Sequence, residues 1–189
     1  MEKFTIDNKN SFFTTVDGAV YNKKCTTLVA VPSRKSKLEL PKTVTKVGYC
    51  AAVGNKQLTE VGFSSTLKTI DKFAFENCSA LKKVKFPKTL KTIGYSAFKG
   101  CSILKEVKFS NALKTIEEYA FGDCKKIKEI VIPASLTELN HYAFIGCDNI
   151  KTFKINKNNK KYSACSGNLY NKNKTVFLHL LQIKKQSLC

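Results

Sequence analysis

The chain has 189 residues, 43% of them apolar, and its 33 Lys plus Arg against 14 Asp plus Glu give a net charge of +19. This is enough apolar material for one sizeable domain, and no apolar run approaches the ~18 residues that a transmembrane helix requires. The opening MEKFTIDNKNSFF lacks the apolar core of a secretory signal, so no export address is expected from it. The charge excess favours anionic partners over a screening length of about 8 Å: acidic protein, acidic polysaccharide, anionic membrane or nucleic acid. Nucleic acid is the weakest of these. Arg34 is the single arginine and most Phe residues recur at core-periodic positions, whereas base recognition draws on Arg and exposed aromatics.

Taken in order, residues 4–32, FTIDNKNSFFTTVDGAVYNKKCTTLVAVP, match without a gap FKINKNNKKYSACSGNLYNKNKTVFLHLL, which begins at Phe153. Phe4, Ile6, Gly18, Tyr21, Asn22, Lys23 and Thr26 correspond to Phe153, Ile155, Gly167, Tyr170, Asn171, Lys172 and Thr175. In both copies an apolar stretch, a polar NKKCT or NKNKT and a second apolar stretch predict a β-hairpin with a loop of about five residues.

Between the two modules runs an array. From Leu67 to Asn158 the chain divides into four lines of 23 residues: LKTIDKFAFENCSALKKVKFPKT, LKTIGYSAFKGCSILKEVKFSNA, LKTIEEYAFGDCKKIKEIVIPAS and LTELNHYAFIGCDNIKTFKINKN. A fifth, degenerate line, VTKVGYCAAVGNKQLTEVGFSST, starts at Val44, and the frame can be followed upstream to Leu38, Leu40 and Pro41. A fixed period in the twenties with this apolar pattern is the signature of a leucine-rich-repeat solenoid. No coil of that kind buries its apolar face alone, so the lines must stack.

Within each line the alternation at Leu81, Val84 and Phe86 predicts a short strand with one buried face, and Phe75 and Cys78 fill the interior from the opposite side. Phe4 and Ile6 take the strand positions of Val84 and Phe86, which makes each end module one coil carrying a hairpin. In the degenerate line Asn55 takes the slot of Cys78, Cys101, Cys124 and Cys147; Asn and Cys can both hydrogen-bond backbone groups that a turning chain leaves unpaired. Ala52 replaces Phe75 there, which predicts thinner packing around residues 50–56.

The expected fold class is an α/β repeat (solenoid): a leucine-rich-repeat right-handed coil with a parallel β-sheet on one face. It forms one domain over 1–189, with an N-terminal hairpin module and first strand at 1–43, five repeats at 44–158 and a second module at 153–189 that caps the array or continues it.

The four in-register cysteines predict a ladder of buried free thiols, because side chains stacked side by side do not point at one another as a disulfide demands. Cys25, Cys50, Cys165 and Cys189 are less constrained, and Cys189 is the best placed for an intermolecular bond. His141 and His179 are the only histidines, and His141 falls in a variable outward slot that holds Lys72, Tyr95 and Glu118 in other lines. With no Gly-rich phosphate loop, nucleophile elbow or metal-spaced His pair, a non-enzyme without cofactor or metal is expected.

The outward residues of the strands supply the candidate site. They form a column Lys82, Lys105, Lys128, Lys151, a mixed column Lys83, Glu106, Glu129, Thr152, and a third, Lys85, Lys108, Val131, Lys154. Lysines stacked at about 4.8 Å repel by roughly 0.8 kcal/mol per neighbouring pair in water, so an anionic ligand would relieve them. Lys82, Lys83, Lys85, Lys105, Lys108, Lys128, Lys151 and Lys154 are the predicted ligand-binding residues. A further column, Lys68, Lys91, Lys114, lies on another flank.

The LxxIxxxAFxxCxxLxxIxFP pattern and the D/S-G-x-x-Y-N-K module resemble those of the BspA-like leucine-rich-repeat family of surface proteins. The resemblance implies a surface-exposed or secreted adhesion module that binds host matrix protein, a cell surface or acidic glycan. The alternative is an intracellular leucine-rich-repeat scaffold for an acidic protein or nucleic acid.

Overall fold

The computed structural model describes residues 2–174 and the backbone of 177–179. Its organising step is 23 residues: Thr69 pairs with Thr92, Thr92 with Thr115 and Thr115 with Glu138, all in parallel. The chain is therefore a solenoid with a parallel sheet, as its period requires. Among the described residues there is no helix, and each coil is closed by successive turns.

Two parallel ladders run along the solenoid where one was expected. The strands of the L-x-x-I corner form the longer: β5 (Lys46–Val47), β7 (Thr69–Ile70), β9 (Thr92–Ile93), β11 (Thr115–Ile116) and β13 (Glu138–Leu139). The expected L-x-x-V-x-F strands form the other as parallel pairs. They are β4 (Lys37–Glu39) with β6 (Glu60–Gly62), β8 (Lys83–Lys85) with β10 (Glu106–Lys108), and β12 (Glu129–Ile132) with β14 (Thr152–Ile155).

The first module is a three-stranded antiparallel unit of β1 (Phe13–Val16), β2 (Ala19–Asn22) and β3 (Thr27–Ala30). Asp17 and Gly18, with φ 48° and 72°, make a two-residue turn of the primed type, which needs left-handed backbone at both positions. The loop predicted at NKKCT connects β2 to β3. β3 then pairs in parallel with β5, giving one eight-stranded sheet of order β1-β2-β3-β5-β7-β9-β11-β13. The second module repeats the unit as β15 (Tyr162–Cys165), β16 (Asn168–Asn171) and β17 (Phe177–His179). Phe153 and Ile155 lie on β14 opposite Ile130 and Ile132, as expected. Phe4 and Ile6 do not form a strand, because among the described residues none runs beside them.

The core is a set of ladders along the solenoid axis. Phe75, Phe98, Phe121 and Phe144 stack ring on ring at 5.2, 5.3 and 5.6 Å, with interplanar angles of 15°, 4° and 13°. A second row, Phe63, Phe86 and Phe109, meets the first edge to face, as in Phe86–Phe98 and Phe109–Phe121, both at 5.6 Å and 65°. Both arrangements are favoured by the ring quadrupole. In the degenerate coil Ala52 is buried where a ring would stand, and Phe63 covers Phe75 edge-on at 5.9 Å.

Beside the rings runs the polar ladder. Cys78, Cys101, Cys124 and Cys147 are buried and free, and each Sγ–H donates to a carbonyl of the neighbouring coil: Ala52, Phe75, Phe98 and Phe121 at 3.1, 3.3, 3.2 and 2.9 Å. Asn55 does more. Its Nδ2 donates to the carbonyls of Pro32 and Lys35, and its Oδ1 accepts from the N–H of Gln57 and Leu58. Asn159 repeats this with Pro133, Leu136, Lys161 and Tyr162.

The residue before each ladder position is left-handed: Gly54, Asn77, Gly100, Asp123 and Gly146 have φ of 69°, 57°, 72°, 57° and 71°. Only Gly, or Asn and Asp, adopt this conformation cheaply. Glycine alternates with a short polar residue because the Oδ1 atoms of Asn77 and Asp123 occupy the space that a Cβ on Gly100 or Gly146 would need.

Two outcomes are expected. Phe98→Ala, which removes a fully buried ring stacked on both sides, will destabilise the fold by about 3 to 5 kcal/mol in chemical denaturation. Gly100→Ala, which forces a side chain into left-handed backbone against Asn77, will cost about 1 to 2 kcal/mol in the same assay.

Candidate functional site

All eight lysines of the predicted site are exposed and lie on, or one residue before, the L-x-x-V-x-F strands. Backbone register brings them together. Glu106 stands opposite Lys83 and Lys108 opposite Lys85, Glu129 faces Thr152, and Val131 faces Lys154. The N–H of Lys105 bonds the carbonyl of Lys82 at 2.9 Å, and that of Lys151 bonds Lys128 at 2.8 Å. The expected columns are thus paired within the β8–β10 and β12–β14 coils.

Their electrostatics differ from one another. Lys154 Nζ sits 2.6 Å from Glu129 Oε2, reaching across to the adjacent coil, and Lys37 approaches Glu60 at 3.8 Å. The second and third columns are therefore partly neutralised, and an exposed Val131 interrupts the third. Lys82, Lys105, Lys128 and Lys151 have no carboxylate partner among the described residues. This first column carries one unpaired lysine on each of four successive coils.

Next to it the face is notched. Gly62 stands in the strand register where the following coils carry Lys85 and Lys108. The carboxylate of Glu39 occupies the space that a side chain at Gly62 would need, and beside Gly62 lies a depression of about 480 Å³ lined by Phe63, Val84, Lys83, Lys85, Lys108, Glu60 and Glu106. A row of lysines beside a depression that combines Phe63 and Val84 with charged residues can hold an anionic surface and seat one apolar group with it.

The opposite corner carries a feature that sequence reading missed. Tyr49, Phe73, Tyr95, Tyr119 and Tyr142 form a partly exposed aromatic ladder with centroid separations of 5.7, 5.2, 5.6 and 5.9 Å. The signal was split, because the rings alternate between two adjacent positions of the repeat: Tyr49 and Tyr95 occupy one, Phe73, Tyr119 and Tyr142 the next. Phe73 and Tyr119 are held at φ 58° and 55°, uncommon for bulky residues, and the ring contacts offset that strain. His141 is exposed beside Tyr142, its ring centroid 3.9 Å away. The side chain of His179 and all of Cys189 lie outside the described residues.

Among the described residues, no group of His, Cys, Asp or Glu could hold a metal ion, and no helix is long and apolar enough to cross a membrane. Burial pushes the Cys78 thiol up to about 12, a backbone hydrogen bond at Asn55 opposing it in part. Burial likewise holds Cys101 and Cys124 well above the ordinary thiol range. Cys25 and Cys50 are free and partly exposed, and Cys165 is disulfide-bonded. At Asp71, burial opposes the charge, but Lys46 at 2.7 Å and the Lys72 backbone N–H together hold the carboxyl below its usual range.

Fold and face together define a leucine-rich-repeat β-solenoid with a cationic strand face. Residues 45–175 match the model of the BspA type leucine rich repeat region in 6 copies, and the chain belongs to that family. The pneumococcal vaccine antigen PcpA superposes with a TM-score of 0.74 at 21% identity, over 93% of this chain and 46% of that one. A leucine-rich repeat protein of Bacteroides ovatus gives 0.63 at 32% identity over 80% of this chain and 40% of that one. The T. pallidum leucine-rich repeat protein gives 0.63 at 24% identity over 79% and 82%. The chain thus spans less than half of the first two. No curated protein matches it.

The thiols have a measurable consequence. A thiol whose folded value is raised stabilises the fold fully below its ordinary 9.0 and loses that contribution as pH rises toward about 12. Stability will therefore fall over that alkaline interval. In native protein at neutral pH an aromatic disulfide reagent will modify Cys25 and Cys50 and spare Cys78, Cys101, Cys124 and Cys147 until the chain unfolds.

Proposed function

We propose that this chain is a non-enzymatic adhesion and protein-interaction module, exposed at a cell surface or secreted, which binds an acidic host matrix protein, cell-surface protein or acidic glycan through its strand face. The observation that carries the reading is the row Lys82, Lys105, Lys128, Lys151 on four successive coils, none of them paired with a carboxylate among the described residues, beside the depression lined by Phe63 and Val84. Each lysine on its own contributes little in water. A rigid row of them steers an anionic partner and binds it at several points at once. Membership of a family of repeat scaffolds supports binding as the task, and the likeness to a vaccine antigen supports surface exposure. Lys83, Lys85, Lys108 and Lys154 flank the strip and complete the proposed contact surface.

Replacing Lys82, Lys105, Lys128 and Lys151 by Gln will weaken heparin binding by about tenfold and flatten its salt dependence, with no loss of stability. Unchanged binding would remove the strand face from consideration. Labelling intact cells with a membrane-impermeant reagent tests location separately. Exclusion of the folded, full-length chain from labelling would instead identify an intracellular scaffold for an acidic protein or nucleic acid.

A further inference from the structure

The aromatic ladder on the flank away from the strand face is exposed, and the charges around it indicate what would cover it. Tyr49 is 63% exposed and Tyr142 43%, with Phe73, Tyr95 and Tyr119 partly exposed between them. All five stand on coils with a neighbour on either side, so their exposure belongs to the flank of the array. Stability alone does not account for the rings. Phe73 and Tyr119 occupy left-handed positions that Gly or Asn would fill at lower cost. In the coils where Cys50 and Ser96 take that slot, at φ 53° and 50°, the ring moves to the residue before, Tyr49 and Tyr95, and the file stays unbroken.

Beside the file lies a depression of about 500 Å³ lined by Tyr95 and Tyr162 together with Glu117, Glu118, Glu138 and Lys72. One Glu117 oxygen accepts the Tyr95 N–H at 2.8 Å, and one Glu138 oxygen accepts the Thr115 hydroxyl at 3.0 Å. Each of these carboxylates keeps its second oxygen without a donor among the described residues. None of the three glutamates joins the ion pairs found there. Desolvation first, and then the Glu118 carboxylate beside it, hold the Tyr119 hydroxyl above its ordinary range, so Glu118 stands against the ladder. In a chain of +19, three carboxylates against Lys72 make a local patch of the opposite sign.

Ring faces and unpaired carboxylates select the same kind of group, a cation. The ladder already holds one: Lys99 Nζ lies over the Tyr119 ring, 5.4 Å from its centroid, the arrangement in which a ring quadrupole attracts an ammonium or guanidinium. Five rings in file extend well beyond the reach of a lone amine, and they match a chain that brings several cations in succession. The lysines of the strand face lie on another side of the solenoid, and salt screens their repulsion of a basic partner over about 8 Å.

We infer that this flank is a second docking surface, for an extended basic peptide segment of a partner protein, whose Arg or Lys side chains lie over the rings of Tyr95, Tyr119 and Tyr142 while one of them ends among Glu117, Glu118 and Glu138. Arg suits the place best, because its planar guanidinium stacks on a ring and bonds a carboxylate through two N–H groups at once.

The inference is independent of the lysine face. Fluorescence anisotropy of labelled oligoarginine, titrated with the full chain, will show binding that weakens as salt rises. Glu118→Gln combined with Glu138→Gln removes two charges and keeps the shape of both side chains; it will weaken binding by about tenfold. Tyr119→Asn, a residue suited to left-handed backbone, will weaken it several-fold with an unchanged melting curve. Replacing Lys82, Lys105, Lys128 and Lys151 by Gln will not weaken it, which separates this flank from the strand face. No binding at low salt overturns the inference, as does binding that neither the acidic nor the aromatic substitution reduces. If free argininamide displaces the peptide at equal concentration, the occupant is a small amine and the peptide assignment falls.

Discussion

Every other feature of this molecule depends on coil-on-coil stacking at the spacing of parallel strands. A coil of 23 residues cannot enclose its own apolar side chains, and its backbone turns too often to satisfy itself. Both needs are met by the neighbour. Phe75, Phe98, Phe121 and Phe144 stack face to face along the axis, and the thiols and Asn55 bond carbonyls one coil away. Among the described residues no buried side-chain nitrogen or oxygen lacks a partner. A one-residue slip in any line would break the ring stack and the hydrogen-bond ladder together, which is why the period is held without insertion from Leu67 to Asn158.

The same stacking determines what the surface can do. It turns residues 23 apart into neighbours, so an outward lysine kept in each line becomes a row of charge at coil spacing. It also decides which charges cancel, since an ion pair such as Lys154–Glu129 can form only between adjacent coils. A strip that is costly to assemble by itself is stable here because burial behind it outweighs a repulsion of under about 1 kcal/mol per pair. That residual repulsion is what an anionic partner would relieve.

The end modules show how one sequence motif serves two environments. At β15 the module meets a coil, and Tyr162 and Asn159 close its strand end and carbonyls. At β1, the last strand of its sheet, the equivalent Phe13 is exposed. Several internal bonds recur in both places, as at Asn10 and Asn159 or Lys23 and Lys172, so much of the module's fold is local and its covering is not.

The sequence by itself determined the period, the stacking frame, the buried Phe and Cys positions, the Asn55 substitution and the lysine columns. Most of these recur from line to line, and repetition makes a weak local signal strong; Asn55 stood out as a departure from it. Tertiary structure alone decided the rest. The eight-stranded ladder lies on the L-x-x-I corner, whose two-residue strands are too short to show alternation. The Tyr and Phe ladder was hidden because its rings shift between adjacent positions and converge only in space. Which lysines stay unneutralised depends on side chains crossing between coils. Such properties belong to pairs of residues distant in the chain, and no single line of the repeat encodes them.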